Sequence, residues 1–292
     1  MPQRAVALVT DSNAQLTEGL RSRYGIAVVP LTVVVDGIPY HEGVDLDARE
    51  FWARLQAGAE VGTAAPSPGE FVAVYEEAVS RGARSIVSVH VGSNTSGIVG
   101  AARLAARASA VPVEVVDTGT ASFGVAACAW AAAEVLECGG DAGAAAAAAR
   151  RVAPHVRNVF VLSGFELARR GGRLAPDAPG GTPAQVRVPD VPGGTPVPVL
   201  ALEEGRMRPV ANVEDLDLAV EAMATYLAEQ AAGRPTRVAV GHALVPEGAR
   251  ALARRVSAVA CVAEVVEYEI GPSVGVHTGP GTLGAVSWPA PG

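Results

Sequence analysis

AVALV at positions 5–9, followed by Thr10-Asp11-Ser12, is the stretch that decides the fold class. A short unbroken apolar run suits a strand buried on both faces, the pattern of a parallel sheet. Asp and Ser directly behind it are helix N-cap residues. The stretch therefore reads as a buried strand feeding a capped helix, the opening of an α/β fold.

Working outward, strand-like runs recur as IAVVPLTVVV (26–35), SIVSVHV (85–91) and VEVVD (113–117), and they alternate with the helical patterns FVAVYEEAV (71–79), GAARLAARA (100–108) and VAACAWAAAEVL (125–136). Such alternation predicts a mostly parallel sheet covered by helices. Asp141 caps another helix, and NVFVLSGFELARRGGRL (158–174) adds a strand and a short helix. Residues 175–198 are dense in Pro and Gly, which excludes a regular helix or a central strand because Pro lacks a donor and Gly costs backbone entropy. This stretch reads as a loop. Beyond it, VPVLALEEGRMRPVANV (197–213) reads as two strands around a Glu204-Gly205 turn, followed by a helix over about 214–232. A strand (RVAVGHAL), a helix (EGARALARRV), a strand (CVAEVVEYEI) and a glycine-rich segment close the chain. A length of 292 residues accommodates two cores of ordinary size. The expected organisation is an N-terminal α/β domain at 1–157 and a C-terminal α/β domain at 158–292.

Composition narrows the function. Hydrophobic residues make up 49% of the chain but aromatics only 4%, so any apolar cavity would be aliphatic. The 23 Lys plus Arg against 30 Asp plus Glu give a net charge of −7, and no basic run is long enough to neutralise many phosphates, which argues against nucleic acid as a partner. The apolar stretch before Asp11 is too short for a signal h-region or a membrane span, so the expectation is a soluble, cytoplasmic protein that is not membrane-embedded. Cys128, Cys138 and Cys261 are too few and too scattered for a disulfide framework or a zinc site. Asp11 and Asp117 at strand ends read as cap or turn residues rather than metal ligands. Neither a GxSxG elbow, a P-loop nor an HExxH helix is present, and no catalytic residue is assigned.

Four segments look like sites. In TAAPSPGE (63–70), Ser67 and Glu70 form a capping-box pattern with Pro68 at the first helical position. Thr63 lies outside that cap, in a loop where its hydroxyl can donate to a ligand oxygen. Gly92-Ser93-Asn94-Thr95-Ser96-Gly97 follows a strand and precedes a helix, so it offers amides and hydroxyls to an anion, while Ser96 reads equally well as a plain N-cap. His277 stands in a glycine-rich turn, IGPSVGVHTGPG (270–281), where the backbone can approach a ligand and the imidazole can bond an acid group. The overlapping Gly279-x-Gly281-x-x-Gly284 is rejected as a dinucleotide fingerprint, because a following helix and acidic strand are lacking before residue 292. Arg169-Arg170-Gly171-Gly172-Arg173 is a basic cluster that reads either as a solvated helix end or as an anion or partner contact.

Taken in order along the chain, VTDSNAQL, TAAPSP, GSNTSGIVGAA, VVDTGTASFG, FELARRGGRL and IGPSVGVHTGPGTLG resemble the DegV family over nearly the whole length. The resemblance implies two α/β domains holding one long-chain fatty acid in an apolar tunnel between them, with no cofactor besides the bound lipid and no metal. It further implies a carrier that presents its lipid to the catalytic subunit of a fatty acid kinase and is not itself an enzyme. By motif it assigns carboxylate contacts to Thr63, Ser96 and the Gly97 amide, a supporting hydrogen bond to His277, and head-group or partner contacts to Arg173 and Arg170. The chain departs from the family where Ala64-Ala65 replaces the usual Ser-Gln pair and where a Pro/Gly-rich stretch without lysine occupies 174–200. The alternatives are a lipid-free regulatory or interaction module of the same fold, and an enzyme transferring a phosphoryl or acyl group itself, which would need an activated nucleophile or a metal-phosphate site.

Overall fold

The computed structural model describes residues 5–162, 165–170 and 197–291. The chain divides into two compact units that are not continuous in sequence: Met1–Asp47 with Thr63–His155, and Ala48–Gly62 with Val156–Gly292. The later crossing is between His155 and Val156. The excursion over Ala48–Gly62 departs from a continuous first domain at 1–157, and its short amphipathic helix carries no composition shift that would have marked it.

The elements up to this excursion are β1 (Val6–Asp11), α1 (Glu18–Tyr24), β2 (Ala27–Val29), β3 (Thr32–Val35), β4 (Ile38–His41), α2 (Ala48–Gln56) and β5 (Val61–Ala64). There follow α3 (Pro68–Ser80), β6 (Ser85–His90), α4 (Ile98–Ala108), β7 (Val113–Asp117), α5 (Phe123–Glu137) and α6 (Ala142–Val152). The stretch 26–35 is not one strand. Pro30 has no amide to continue the ladder, so β2 ends at Val29 and β3 begins at Thr32 in a separate sheet ordered β4-β3-β5, with a hairpin at Asp36-Gly37. Behind β1 the chain makes a short 3-10 turn at Ser12–Ala14 capped by Asp11, and α1 is capped by Thr17.

The main sheet of this unit is parallel throughout, in the order β2-β1-β6-β7. Burial of every residue from Ile86 to His90 means that both faces of β6 are covered, as the apolar runs predict. Helices α5 and α6 pack side by side against the sheet, and α3 packs with α4. Ten residues of α5 are buried, five of them Ala, and Ala145, Ala146, Ala148 and Ala149 of α6 are buried as well. Small side chains let the helices approach closely, which is how a chain so poor in aromatics fills its core.

In the second unit, β8 (Arg157–Val161), α7 (Phe165–Arg170), β9 (Val197–Glu203), β10 (Arg206–Val213), α8 (Leu216–Ala231), β11 (Thr236–His242), α9 (Pro246–Ser257), β12 (Val262–Glu269), α10 (Pro272–Thr278) and β13 (Leu283–Pro289) build a mixed sheet ordered β10-β9-β8-β13-β11-β12. The expected hairpin is present, with left-handed Glu204 and Gly205 at its turn. The closing glycine-rich segment differs from expectation: it contains α10 and then β13, which lies antiparallel between β8 and β11 inside the sheet. One side of the sheet, with Val159, Val199, Val238 and Leu283, packs on Met223 and Leu227 of α8 and Leu252 of α9. Leu162, Leu200 and Met207 form a second cluster with Ala168 of α7. Most of the expected loop at 175–198 lies outside the described residues.

Candidate functional site

Strand order reverses once in the main sheet of the first unit. From β1 the chain continues to β2 on one side, and from β6 to β7 on the other, so the connections leaving the carboxyl ends of β1 and β6 diverge. A parallel sheet binds ligands at such a reversal. The residues there are Asp11, Ser12 and Asn13 behind β1 and the 92–97 loop behind β6.

That loop is tightly built. The Gly92 amide donates to the Thr120 carbonyl at 2.8 Å, and the Gly92 carbonyl accepts the amides of Thr95 at 2.8 Å and Ser96 at 3.0 Å. A Cβ at Gly92 would lie 2.6 Å from the Gly119 carbonyl carbon, so the close approach of the two loops requires glycine. Asp117 Oδ1 accepts the amides of Ser93 at 3.0 Å and Gly119 at 3.1 Å. Burial pushes the Asp117 carboxyl up, but the hydroxyl and amide of Ser93, the Gly119 amide and the nearby Arg103 outweigh it and hold its pKa below the ordinary value.

Ser96 does not cap the following helix. Gly97 is the N-cap of α4, and the helix start makes no side-chain capping bond. The Ser96 hydroxyl is half-buried and Gly97 is exposed, and no side-chain cap closes this helix start. Thr63 lies on β5 rather than in a loop, half-buried, because the chain is still paired in the three-stranded sheet there. Four residues on, the capping box is complete: Ser67 Oγ accepts the Glu70 amide at 3.4 Å and Glu70 Oε2 accepts the Ser67 amide at 2.7 Å. Ser67 is therefore a structural residue.

In the second unit His277 is half-buried on the last turn of α10, not in an open turn. The glycine two residues before it serves packing: a Cβ at Gly275 would lie 2.5 Å from Trp52 Cη2 and 2.8 Å from Phe51 Cε1, so its absence lets α10 rest on α2. The Thr282 hydroxyl donates to the carbonyls of Thr278 and Gly279, both at 2.8 Å, and ties down the helix end. Gly279 and Gly281 have positive φ, and Gly284 touches Phe160 of β8, so all three glycines of the apparent dinucleotide fingerprint have structural duties. Arg170 is exposed at the end of α7, and Arg173 lies outside the described residues. Ser96 and Gly97 thus share one loop, Thr63 sits on a different sheet of the same unit, and His277 belongs to the second unit.

Sequence reasoning missed a buried network at this sheet end. Ser88 Oγ lies 2.6 Å from His90 Nε2, and His90 Nδ1 lies 2.9 Å from Asp11 Oδ2. The order is that of a Ser-His-Asp hydrolase, yet all three residues are fully buried, and Ser88 Oγ is engaged by the Tyr75 hydroxyl at 2.8 Å. A nucleophile closed off on every side meets no substrate. Burial also pushes the Tyr75 phenol up to about 12. Only part of the signal lies in the sequence: Ser88 and His90 are two residues apart on a strand and therefore share one face, whereas the pairing that brings Asp11 beside them is tertiary. Among the described residues no group of three or more His, Cys, Asp or Glu is placed to hold a metal ion, and no helix is long and apolar enough to cross a membrane.

Comparison with known proteins agrees with this architecture. The family model described as "Uncharacterised protein, DegV family" matches residues 5–290. A DegV domain-containing protein of Streptomyces coelicolor is 38% identical over 285 residues, 97% of this chain and 98% of that protein, and one of Deinococcus radiodurans is 31% identical over 98% of this chain and 99% of its own length. Among solved structures, a DegV family protein from Thermus thermophilus described for its fatty acid binding matches with a TM-score of 0.85 and 32% identity, covering 98% of this chain and 100% of that one. DegV of Bacillus subtilis, described as a fatty acid binding protein, matches with a TM-score of 0.82 and 26% identity over 98% and 100% of the two chains. With a single family spanning all but the ends of the sequence and its fold shared with solved members, this chain belongs to the DegV family.

Proposed function

We propose that this protein binds one long-chain fatty acid and acts as its carrier, without transforming it. The observation that carries the reading is the 92–97 loop at the reversal of strand order, whose Ser96 hydroxyl and Gly97 amide are not consumed by capping α4. These two groups and the Thr63 hydroxyl hold the carboxylate, and His277 adds a supporting hydrogen bond. An ionised carboxylate leaving water needs several such donors at once. The acyl chain suits an interior of Ala, Val and Leu, where each buried methylene contributes about 0.8 kcal/mol. Support comes from the Thermus thermophilus and Bacillus subtilis relatives, both described as binding fatty acid.

In this reading the protein works in the cytoplasm, needs no cofactor, and presents its lipid to a separate fatty acid kinase, with Arg170 and Arg173 contacting the head group or the kinase. The sealed Ser88 argues against an acyl-transfer activity of its own. Native mass spectrometry of gently purified protein, followed by extraction of whatever leaves it, tests the proposal. One fatty acid per chain is expected. A protein that is empty and also refuses added fatty acids would refute it and favour a lipid-free regulatory module.

A further inference from the structure

We infer that the buried Asp11–His90 pair is a positioning element that presets the 92–97 loop for an anion, acting from inside the sheet without touching the ligand. The inference rests on the fatty-acid reading for its ligand and on the hydrogen bonds of the first unit for its mechanism. Asp11 and His90 end the two strands that flank the reversal of strand order, and both are fully buried. The backbone ladder between these strands stops at Thr10 paired with Val89. Past that point the Asp11 carboxylate replaces it: Oδ2 accepts the Val91 amide at 3.2 Å and faces His90 Nδ1, while Oδ1 accepts the Asn13 amide at 3.1 Å.

Val91 precedes Gly92, whose carbonyl holds the amides of Thr95 and Ser96. One carboxylate therefore fixes the first amide past β6, and Gly92 passes that position on to Ser96. In the tautomer with its proton on Nδ1, His90 donates to Oδ2 and holds it in place. Asn13, held by the other oxygen, accepts the Ser122 amide through its side chain at 2.9 Å and so secures the start of α5, where Ser122 has φ of 56° and ψ of −145°. Backbone in that region is costly for any residue but glycine and persists where surrounding contacts determine it. The same carboxylate thus braces the loops behind β1, β6 and β7 together. The far side of the imidazole, toward Ser88 and Tyr75, points into the core and away from this function.

Two conservative variants separate the two sides of the ring. In His90→Asn the side-chain amide stands where Nδ1 stood and keeps a donor for Asp11, while in His90→Gln it reaches the position of Nε2 and Ser88 but leaves Asp11 unsupported. Palmitate affinity, and hydrogen exchange of the Thr95 and Ser96 amides in ligand-free protein, are the readouts. His90→Asn should retain affinity within about twofold, and His90→Gln should weaken it about tenfold, the size of a lost hydrogen bond to a charged group, with faster exchange at those two amides. Ser88→Ala, which leaves the Asp11 contact intact and removes only one hydroxyl, should bind like the wild type. Equal affinity of the Asn and Gln variants, or a Ser88→Ala defect as large as that of His90→Gln, would overturn the inference. Wild-type protein that does not bind palmitate would sink the fatty-acid reading instead, while the exchange comparison would still decide whether Asp11 and His90 set the loop.

Discussion

Replacing Gly275 by alanine adds one methyl group at the contact between α10 and α2. The new Cβ would stand 2.5 Å from Trp52 Cη2, 2.8 Å from Phe51 Cε1 and 2.9 Å from Trp52 Cζ2. Phe51 is wholly buried and Trp52 is 4% exposed, so neither ring swings into solvent. Overpacking a closed site costs about 1–3 kcal/mol, and three sub-van der Waals contacts with rigid rings place this one near 3. Alanine recovers about 1 kcal/mol through its better helix propensity, leaving a net loss of about 2 kcal/mol. For a protein of this size that lowers Tm by about 4–8 °C. Because His277 is two residues further along the same helix, its side chain moves with α10, and fatty-acid affinity should fall together with stability. Shortening the opposing ring relieves the clash: Gly275→Ala combined with Trp52→Phe should show a favourable coupling of at least about 0.5 kcal/mol in a double-mutant cycle. Calorimetry and urea titration measure both quantities. A Gly275→Ala protein as stable as the wild type, with no coupling to position 52, would refute the close packing of α10 on α2.

Other perturbations probe separate parts of the molecule. Burial lowers the His242 imidazole below its ordinary 6.5, Glu269 and Glu267 pull the other way, and Arg250 adds to the lowering. The unfolded chain therefore takes up this proton first as the pH falls, so the stability concerned is complete above about 6.5 and is lost from there down to the folded-state value; the urea midpoint of His242→Gln should decline less than that of the wild type over this window, and parallel declines would contradict the assignment. Burial pushes the Cys128 thiol up to about 12, whereas Cys138 is exposed; a maleimide near neutral pH should modify Cys138 in the folded protein and reach Cys128 only after denaturation, as peptide mapping would reveal. Ser96→Ala should weaken fatty-acid binding by about 1.5–3 kcal/mol, the usual value of a hydrogen bond to a charged group, with an unchanged melting temperature because the hydroxyl does not cap α4. Asp215→Ala removes the acceptor of the Leu218 amide at the start of α8 and should cost about 1 kcal/mol of stability without altering affinity.

Much of the candidate site was legible from local chemistry. The 92–97 loop stood out because Ser, Thr and Gly between an apolar run and a helical pattern have few other uses, and the Ser67–Glu70 box announced itself by spacing alone. Local reasoning failed where a partner distant in the chain decides. Ser96 read equally well as a cap and as an anion contact, and only the backbone places Gly97 in the cap position. The glycines around His277 suggested close approach to a ligand, but Gly275 makes room for Trp52 and Phe51, more than 200 residues earlier in the sequence. The Asp11–His90–Ser88 network joins residues 79 positions apart and carries no sequence signal beyond an i, i+2 spacing.

By itself, the sequence determined an α/β chain with a parallel sheet in its first half, because apolar runs of strand length alternating with helical periodicity bury well in only one way. It also determined where the caps, the hairpin turn and the donor-rich loop fall, since these depend on neighbours within a few residues. Only the tertiary structure decided the strand order β2-β1-β6-β7 that puts the 92–97 loop at its reversal, the insertion of β13 between β8 and β11, and the grouping of Ala48–Gly62 with the second unit. Hydrophobic periodicity says which face of an element is buried but not which element covers it. That pairing is fixed by long-range packing, where the presence or absence of a single Cβ selects the neighbour.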